Sequence, residues 1–225
     1  MIEGDQKVEC TPADTTAWVA ENLCKAENVS KVDVIDDQVL RVERSKYEPF
    51  IAGIVSERCV LADNIKPLVR SKHGVEIIAN VPKEVIWTGG ALQYAKDNCI
   101  ATGVFGDLYR VISHEDVRAF QPREIAFIER GLRQHDRVSG IVREYDRVYR
   151  VSRKGGLRDL TAAMLNEYEL TADHIRTARD RYGSFDVVVN TNPNGSITTS
   201  AEEAAKFMGV EILKWDPFFG RINKK

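Results

Sequence analysis

The hydrophobic and polar positions of the chain fall into one pattern, written twice. "PADTTAWVAENL" and "PREIAFIERGLRQH" carry apolar residues at helical spacing behind a proline, and each is followed by short alternating strands, "KVDVID" and "VLRVE" in the first copy, "GIVREY" and "VYRVS" in the second. A more apolar strand comes next ("FIAGIVS", "LTAAML"), then a helix, a strand ("VEIIANV", "DVVVNT"), a helix ("ALQYAKDN", "AEEAAKFM") and a last strand ("IATGVF", "VEILKW"). The predicted unit is αβββαβαβ. Antiparallel strands followed by βαβ crossovers make an α/β fold with a mixed sheet flanked by helices in each copy.

The copies lie 110 residues apart (172 − 62), as "ADNIKPLVRSKHGVEIIANV" and "ADHIRTARDRYGSFDVVVNT" show. At that offset eleven of the 66 positions from Tyr47 to Ile112 are identical, against about four expected from average composition. Phe105 meets Trp215, Leu108 meets Phe218, and Pro12 meets Pro122; shifted by one, "VLRVER" meets "VYRVSR" and Asp37 meets Asp146. We divide the chain into a first repeat at residues 1–112, opening on an acidic segment, a linker at 113–120 and a second repeat at 121–225. "SHEDVRAF" in the linker has the first-turn residues of a short helix.

Charge distinguishes the copies. Residues 1–40 carry nine acids, among them Glu3, Asp5 and Glu9, against three lysines, whereas residues 118–158 carry eleven bases against five acids. Arg123, Arg130, Arg133 and Arg137 gather opposite Ile125, Ile128 and Leu132 on one helix, and "VSRKGGLRD" adds Arg153, Lys154 and Arg158 around a Gly-Gly turn. Such a surface suits an acidic partner, nucleic acid or the acidic N-terminal region. At the offset of 110, Ala13 and Ala20 stand where Arg123 and Arg130 do.

The chain has no run of apolar residues long enough to span a membrane, and its polar, acidic start lacks the core of a signal peptide, so a cytoplasmic protein is expected. Cys10, Cys24, Cys59 and Cys99 are scattered and read as reduced thiols. No phosphate-binding glycine loop, dinucleotide fingerprint or serine-nucleophile elbow occurs. His73, His114, His135 and His174 lack metal-ligand spacing, and Trp18, Trp87 and Trp215, lying among apolar neighbours, are expected in the core.

The element order, together with "TNPNGSITTSAEEAAKFMGVEILKW", resembles the restriction-endonuclease-like, or PD-(D/E)xK, nucleases of the Mrr type; Thr191, Thr198 and Ala201 carry the likeness. The resemblance implies two fused nuclease-like units acting on nucleic acid, DNA favoured over RNA. A metal-dependent endonuclease needs carboxylates converging on a hard cation that takes oxygen ligands at about 2.1 Å. Asp146 and Glu167 have the implied spacing for Mg2+ or Mn2+, with Glu169 beside them, and Asp37 and Glu57 match them in the first repeat. The motif lysine has no counterpart: Glu169 and Cys59 stand two residues after the glutamates, leaving Lys66 and Arg176 as distant substitutes. The alternative is a non-enzymatic scaffold that keeps the fold and binds another protein.

Overall fold

The computed structural model describes residues 12–224. The first repeat runs α1 (Pro12–Leu23), β1 (Val29–Asp36), β2 (Val39–Arg44), β3 (Phe50–Val55), β4 (Cys59–Val60), α2 (Ala62–Val69), β5 (Ile77–Asn80), β6 (Ile86–Trp87), α3 (Gly89–Asp97), β7 (Ala101–Val104) and α4 (Phe105–Val111). The second runs α5 (Arg123–Gln134), β8 (Val138–Arg143), β9 (Val148–Arg153), β10 (Leu160–Leu165), β11 (Glu169–Leu170), α6 (Ala172–Tyr182), β12 (Val187–Asn190), β13 (Ser196–Ile197), α7 (Thr199–Phe207), β14 (Glu211–Lys214) and α8 (Trp215–Ile222). The expected order is present in both copies. Two-residue strands and a closing helix, α4 or α8, are added to it.

Each copy builds a five-stranded mixed sheet, β1-β2-β3-β5-β7 in the first and β8-β9-β10-β12-β14 in the second. The first three strands of each are antiparallel neighbours and the last three run parallel. In the first sheet, Leu40, Val42, Ala52, Ile54 and Ile77 pack against Val19 and Leu23 of α1 and Leu108 and Val111 of α4. In the second, Tyr149, Val151, Ala162, Met164 and Val187 pack against Ile128 and Leu132 of α5 and Phe218 and Ile222 of α8. The opposite face of the second sheet packs Val148, Ala163 and Val188 against Ile175 and Ala178 of α6 and Ala201 and Ala205 of α7. Each fully buried Leu, Ile or Phe of these layers contributes about 1.5–3 kcal/mol.

Side chains that cross the fold repeat as well. Asn80 accepts from the Glu57 N–H at 3.0 Å and donates to the Glu57 carbonyl at 2.8 Å, and Asn190 does the same to Glu167 at 3.2 and 3.0 Å. Glu76 receives the N–H of Ile51 as Asp186 receives that of Thr161. Thr88 and Thr198 each accept the N–H of the alanine three residues on, so the Thr-x-x-Ala motif is a helix N-cap in both copies. His174 accepts the Thr171 N–H in the place where Asn64 accepts that of Leu61.

The structure corrects three expectations. The offset is 109 from α1 through β2, because Val19 and Leu23 take the buried places of Ile128 and Leu132. It becomes 110 from β3 on; the extra residue lies in the β9–β10 loop, where 154–159 replaces 45–49. Asp14 and Glu21, not Ala13 and Ala20, therefore stand where Arg123 and Arg130 do. The linker forms no helix: Asp116 accepts the N–H groups of Arg118 and Ala119 in a turn, and Val117 and Phe120 are buried in the first core. Trp87 is buried as expected, but Trp18 is 47% exposed, because its position faces away from the buried Val19 and Leu23, and only one side of its ring is covered, by Phe105.

The chain divides into two compact units, one extending to Val85 with Gln93–Pro122, the other comprising Ile86–Leu92 with Arg123 onward. Among the described residues no helix is long and apolar enough to cross a membrane. Cys24, Cys59 and Cys99 are free and exposed; Cys10 and the acids Glu3, Asp5 and Glu9 lie outside the described residues.

Candidate functional site

Asp146 lies in the turn between β8 and β9, and its two oxygens are already engaged. One accepts the Trp87 N–H at 3.2 Å, the other the Tyr182 hydroxyl at 3.2 Å. The Asp146 N–H returns a bond to the Trp87 carbonyl, fastening the Ile86–Leu92 segment to the hairpin. Burial pushes the Asp146 carboxyl above the usual carboxylate range, against the pull of the Trp87 N–H and of Arg143 and Arg147. Glu167 instead faces His174, 3.7 Å from Nε2, and Glu169 is exposed on β11. The two carboxylates expected to share a cation thus have different partners here, Trp87 and Tyr182 for Asp146 and His174 for Glu167. Among the described residues no three His, Cys, Asp or Glu side chains gather as a metal site. The distant substitutes are engaged too: Lys66 pairs with Asp63 at 2.5 Å and Arg176 with Asp173 at 2.9 Å.

Of the expected arginine stripe, Arg123, Arg130 and Arg133 lie on α5, whereas Arg137 lies in the turn after the helix ends at Gln134. Ile125, Ile128 and Leu132 are buried while Arg123, Arg130, Arg133 and Arg137 are exposed. Lys154 stands beside Arg137 at the start of the β9–β10 loop, its N–H bonded to the Arg137 carbonyl at 2.8 Å. The Arg137 guanidinium reaches within 3.3 Å of where a Gly155 side chain would begin, and Gly155 and Gly156 turn the loop at φ +77° and +70°, conformations open to glycine. Among the described residues Arg123, Arg130, Arg137 and Lys154 have no carboxylate partner, whereas Arg133 pairs with Glu129 at 3.5 Å and Arg158 with Asp186 at 2.6 Å. Arg153 departs from the group. It is 7% exposed, and its guanidinium bonds the carbonyls of Arg158, Ile222 and Lys224, capping α8 from within.

A second polar cluster went unread in the sequence. Arg147 pairs with Glu124 from the first turn of α5, and Glu124 also accepts the Thr191 hydroxyl at 3.3 Å. Arg143 bonds the Asp146 carbonyl and lies 5.9 Å from the Tyr149 ring. The Tyr149 hydroxyl is buried without a hydrogen-bond partner among the described residues, and burial pushes its pKa up to about 12, so it stays a phenol. The first repeat has Thr15, Val34, Gln38, Leu40 and Val81 at the places of Glu124, Arg143, Arg147, Tyr149 and Thr191. The same fold is thus completed there largely without charge, and a position-by-position comparison of the copies was the signal that could have found the cluster.

Chemically, the second unit offers fixed cations on an outward helix face, a Gly-Gly loop beside them, and a half-buried Arg–Glu pair beneath the start of the same helix. Exposed guanidinium and ammonium groups are the side chains that contact phosphate oxygens in protein–DNA interfaces. Comparison with protein-family models, with curated proteins and with solved structures returned no match for this chain.

Proposed function

We propose that the chain is a nucleic-acid-binding protein of nuclease-like architecture whose second unit holds the phosphate backbone on α5 and the β9–β10 loop, with DNA the favoured polymer. The observation that carries this is a set of exposed cations unpaired among the described residues, Arg123 and Arg130 on α5 and Arg137 and Lys154 just beyond it, the last two joined by the Lys154 N–H to Arg137 carbonyl bond. Unpaired guanidinium groups on a fixed helix face neutralise phosphates without first breaking an ion pair. The reading is one of binding. Titration of the full chain with a DNA duplex and with an RNA duplex, at stepped salt, tests it. Four phosphate contacts predict a loss of roughly a hundredfold in affinity between 50 and 200 mM salt. Absence of binding to either polymer at low salt would refute the reading.

A second reading, a protein-binding scaffold, is favoured by Phe207, which is 92% exposed at the end of α7. It borders a groove of about 680 Å3 lined by Thr171, Asp173, Arg176, Ser200 and Glu203. A single exposed ring is ordinary by itself; here it stands on the wall of that groove, which is what favours a partner. A Phe207→Ser variant that keeps its nucleic-acid affinity but loses a protein partner that the wild-type chain recovers would support this reading over the first.

A further inference from the structure

The corrected alignment places two helix faces of opposite charge at the same position in the two units. Asp14, Trp18 and Glu21 lie at i, i+4 and i+7 on α1, and Arg123, Phe127 and Arg130 lie at i, i+4 and i+7 on α5, so each set forms one stripe. All six are exposed, Trp18 by 47% and Phe127 by 39%. Each central ring continues into a small aromatic patch. Trp18 lies 4.9 Å from Phe105, which meets Tyr109 edge-on at 5.4 Å; Phe127 lies 5.0 Å from Trp215, which meets Phe219 edge-on at 4.9 Å. The patches are built by equivalent residues, 18 with 127, 105 with 215 and 109 with 219, while the flanking charges have changed sign.

We propose that the acidic stripe of α1 in one copy of this chain docks on the basic stripe of α5 in a second copy, so that the protein associates head to tail. Antiparallel crossing of the helices sets Asp14 against Arg130 and Glu21 against Arg123, with Trp18 on Phe127 between them. Rings at the centre and charges at the rim are the layout in which aromatic anchors supply affinity and charge selects the partner. Nucleic acid matches the α5 stripe but is repelled by α1. A second copy satisfies both stripes and both aromatic patches. Because the two surfaces differ, each docking event leaves one of each free, and growth continues to a ring or an open chain. Arg123 and Arg130 also belong to the proposed nucleic-acid surface, so self-association and nucleic-acid binding exclude each other there.

The test is sedimentation of the full chain, treated with nuclease and free of nucleic acid by absorbance, over a concentration series at 50 and 500 mM salt. The expected result is a mass that rises with concentration at low salt and returns toward the monomer at high salt. Asp14→Arg with Glu21→Arg, and separately Arg123→Glu with Arg130→Glu, should each weaken association at least about tenfold. Mixed together, the two variants recreate opposed stripes and should assemble again. A monomeric wild type throughout the low-salt series would overturn the proposal, as would a mixture that stays monomeric when both variants keep the wild-type melting transition. The α1 variant retains every arginine of the nucleic-acid surface, so its duplex binding reports on that reading separately.

Discussion

Arg44 and Arg153 do the same work in the two units: each is buried and directs its guanidinium to the last carbonyls of the helix that closes its fold. Arg44 bonds the carbonyls of Glu48, Val111, Ile112 and His114, and Arg153 those of Arg158, Ile222 and Lys224. The carbonyls of Glu48 and Arg158 lie in loops and the others at or just past a helix end; Val111 keeps the His114 N–H, but removing the guanidinium takes a donor from each of the rest. Arg44→Ala and Arg153→Ala should each cost roughly 2–4 kcal/mol in urea unfolding. Lysine should recover only part of it, since one ammonium cannot span the fork. Equal stability of Arg153→Ala and wild type would show that α8 closes the unit unaided.

Asn80 and Asn190 are fully buried and each reads both backbone groups of a glutamate. Asn190 also donates to the Ser196 carbonyl at 3.2 Å. Asn190→Ala should therefore cost more than Asn80→Ala, about 2–4 against about 1–3 kcal/mol. Asn190→Asp removes the donor and adds a buried charge; its unfolding midpoint should recover as the pH falls and the carboxyl regains a proton.

Asp146 gives the stability a pH dependence of definite sign. Its folded pKa is raised by burial, so the carboxyl favours folding when protonated. That contribution is full below the unfolded carboxylate pKa and is lost as pH rises through the raised folded value. Asn keeps the acceptor for the Trp87 N–H and carries no charge, and the Tyr182 hydroxyl can turn to accept from it. Asp146→Asn should melt no lower than wild type at pH 7 and should flatten the pH profile above the normal carboxylate range. Asp146→Ala, which strands two donors, should lose about 1–3 kcal/mol. A lower melting point for Asp146→Asn than for Asp146→Ala would contradict this account.

The duplication and the order of strands were legible because a buried face writes its period into the sequence, as Ile125, Ile128 and Leu132 do. The closing helices escaped because α4 and α8 follow directly on the last strand, which hides their short apolar pattern behind it. Arg153 was misplaced because a side chain capping a distant helix resembles a surface arginine when only neighbours in sequence are weighed. Trp18 was assigned to the core by its apolar neighbours, although its own position faces outward from Val19 and Leu23. Arg147, Glu124 and Thr191 come from three separated segments, and only the fold brings them together.

The direct test of the central claim, that the α5 surface holds a nucleic-acid backbone, is the salt dependence of duplex binding for wild type and for Arg123→Ala with Arg130→Ala. Both arginines are exposed and lack a carboxylate partner among the described residues, so the substitutions remove charge without disturbing the core. The account predicts weaker binding at every salt concentration and a log–log slope shallower by up to about two. An unchanged affinity together with an unchanged slope would contradict it and leave the stripe as solvated surface.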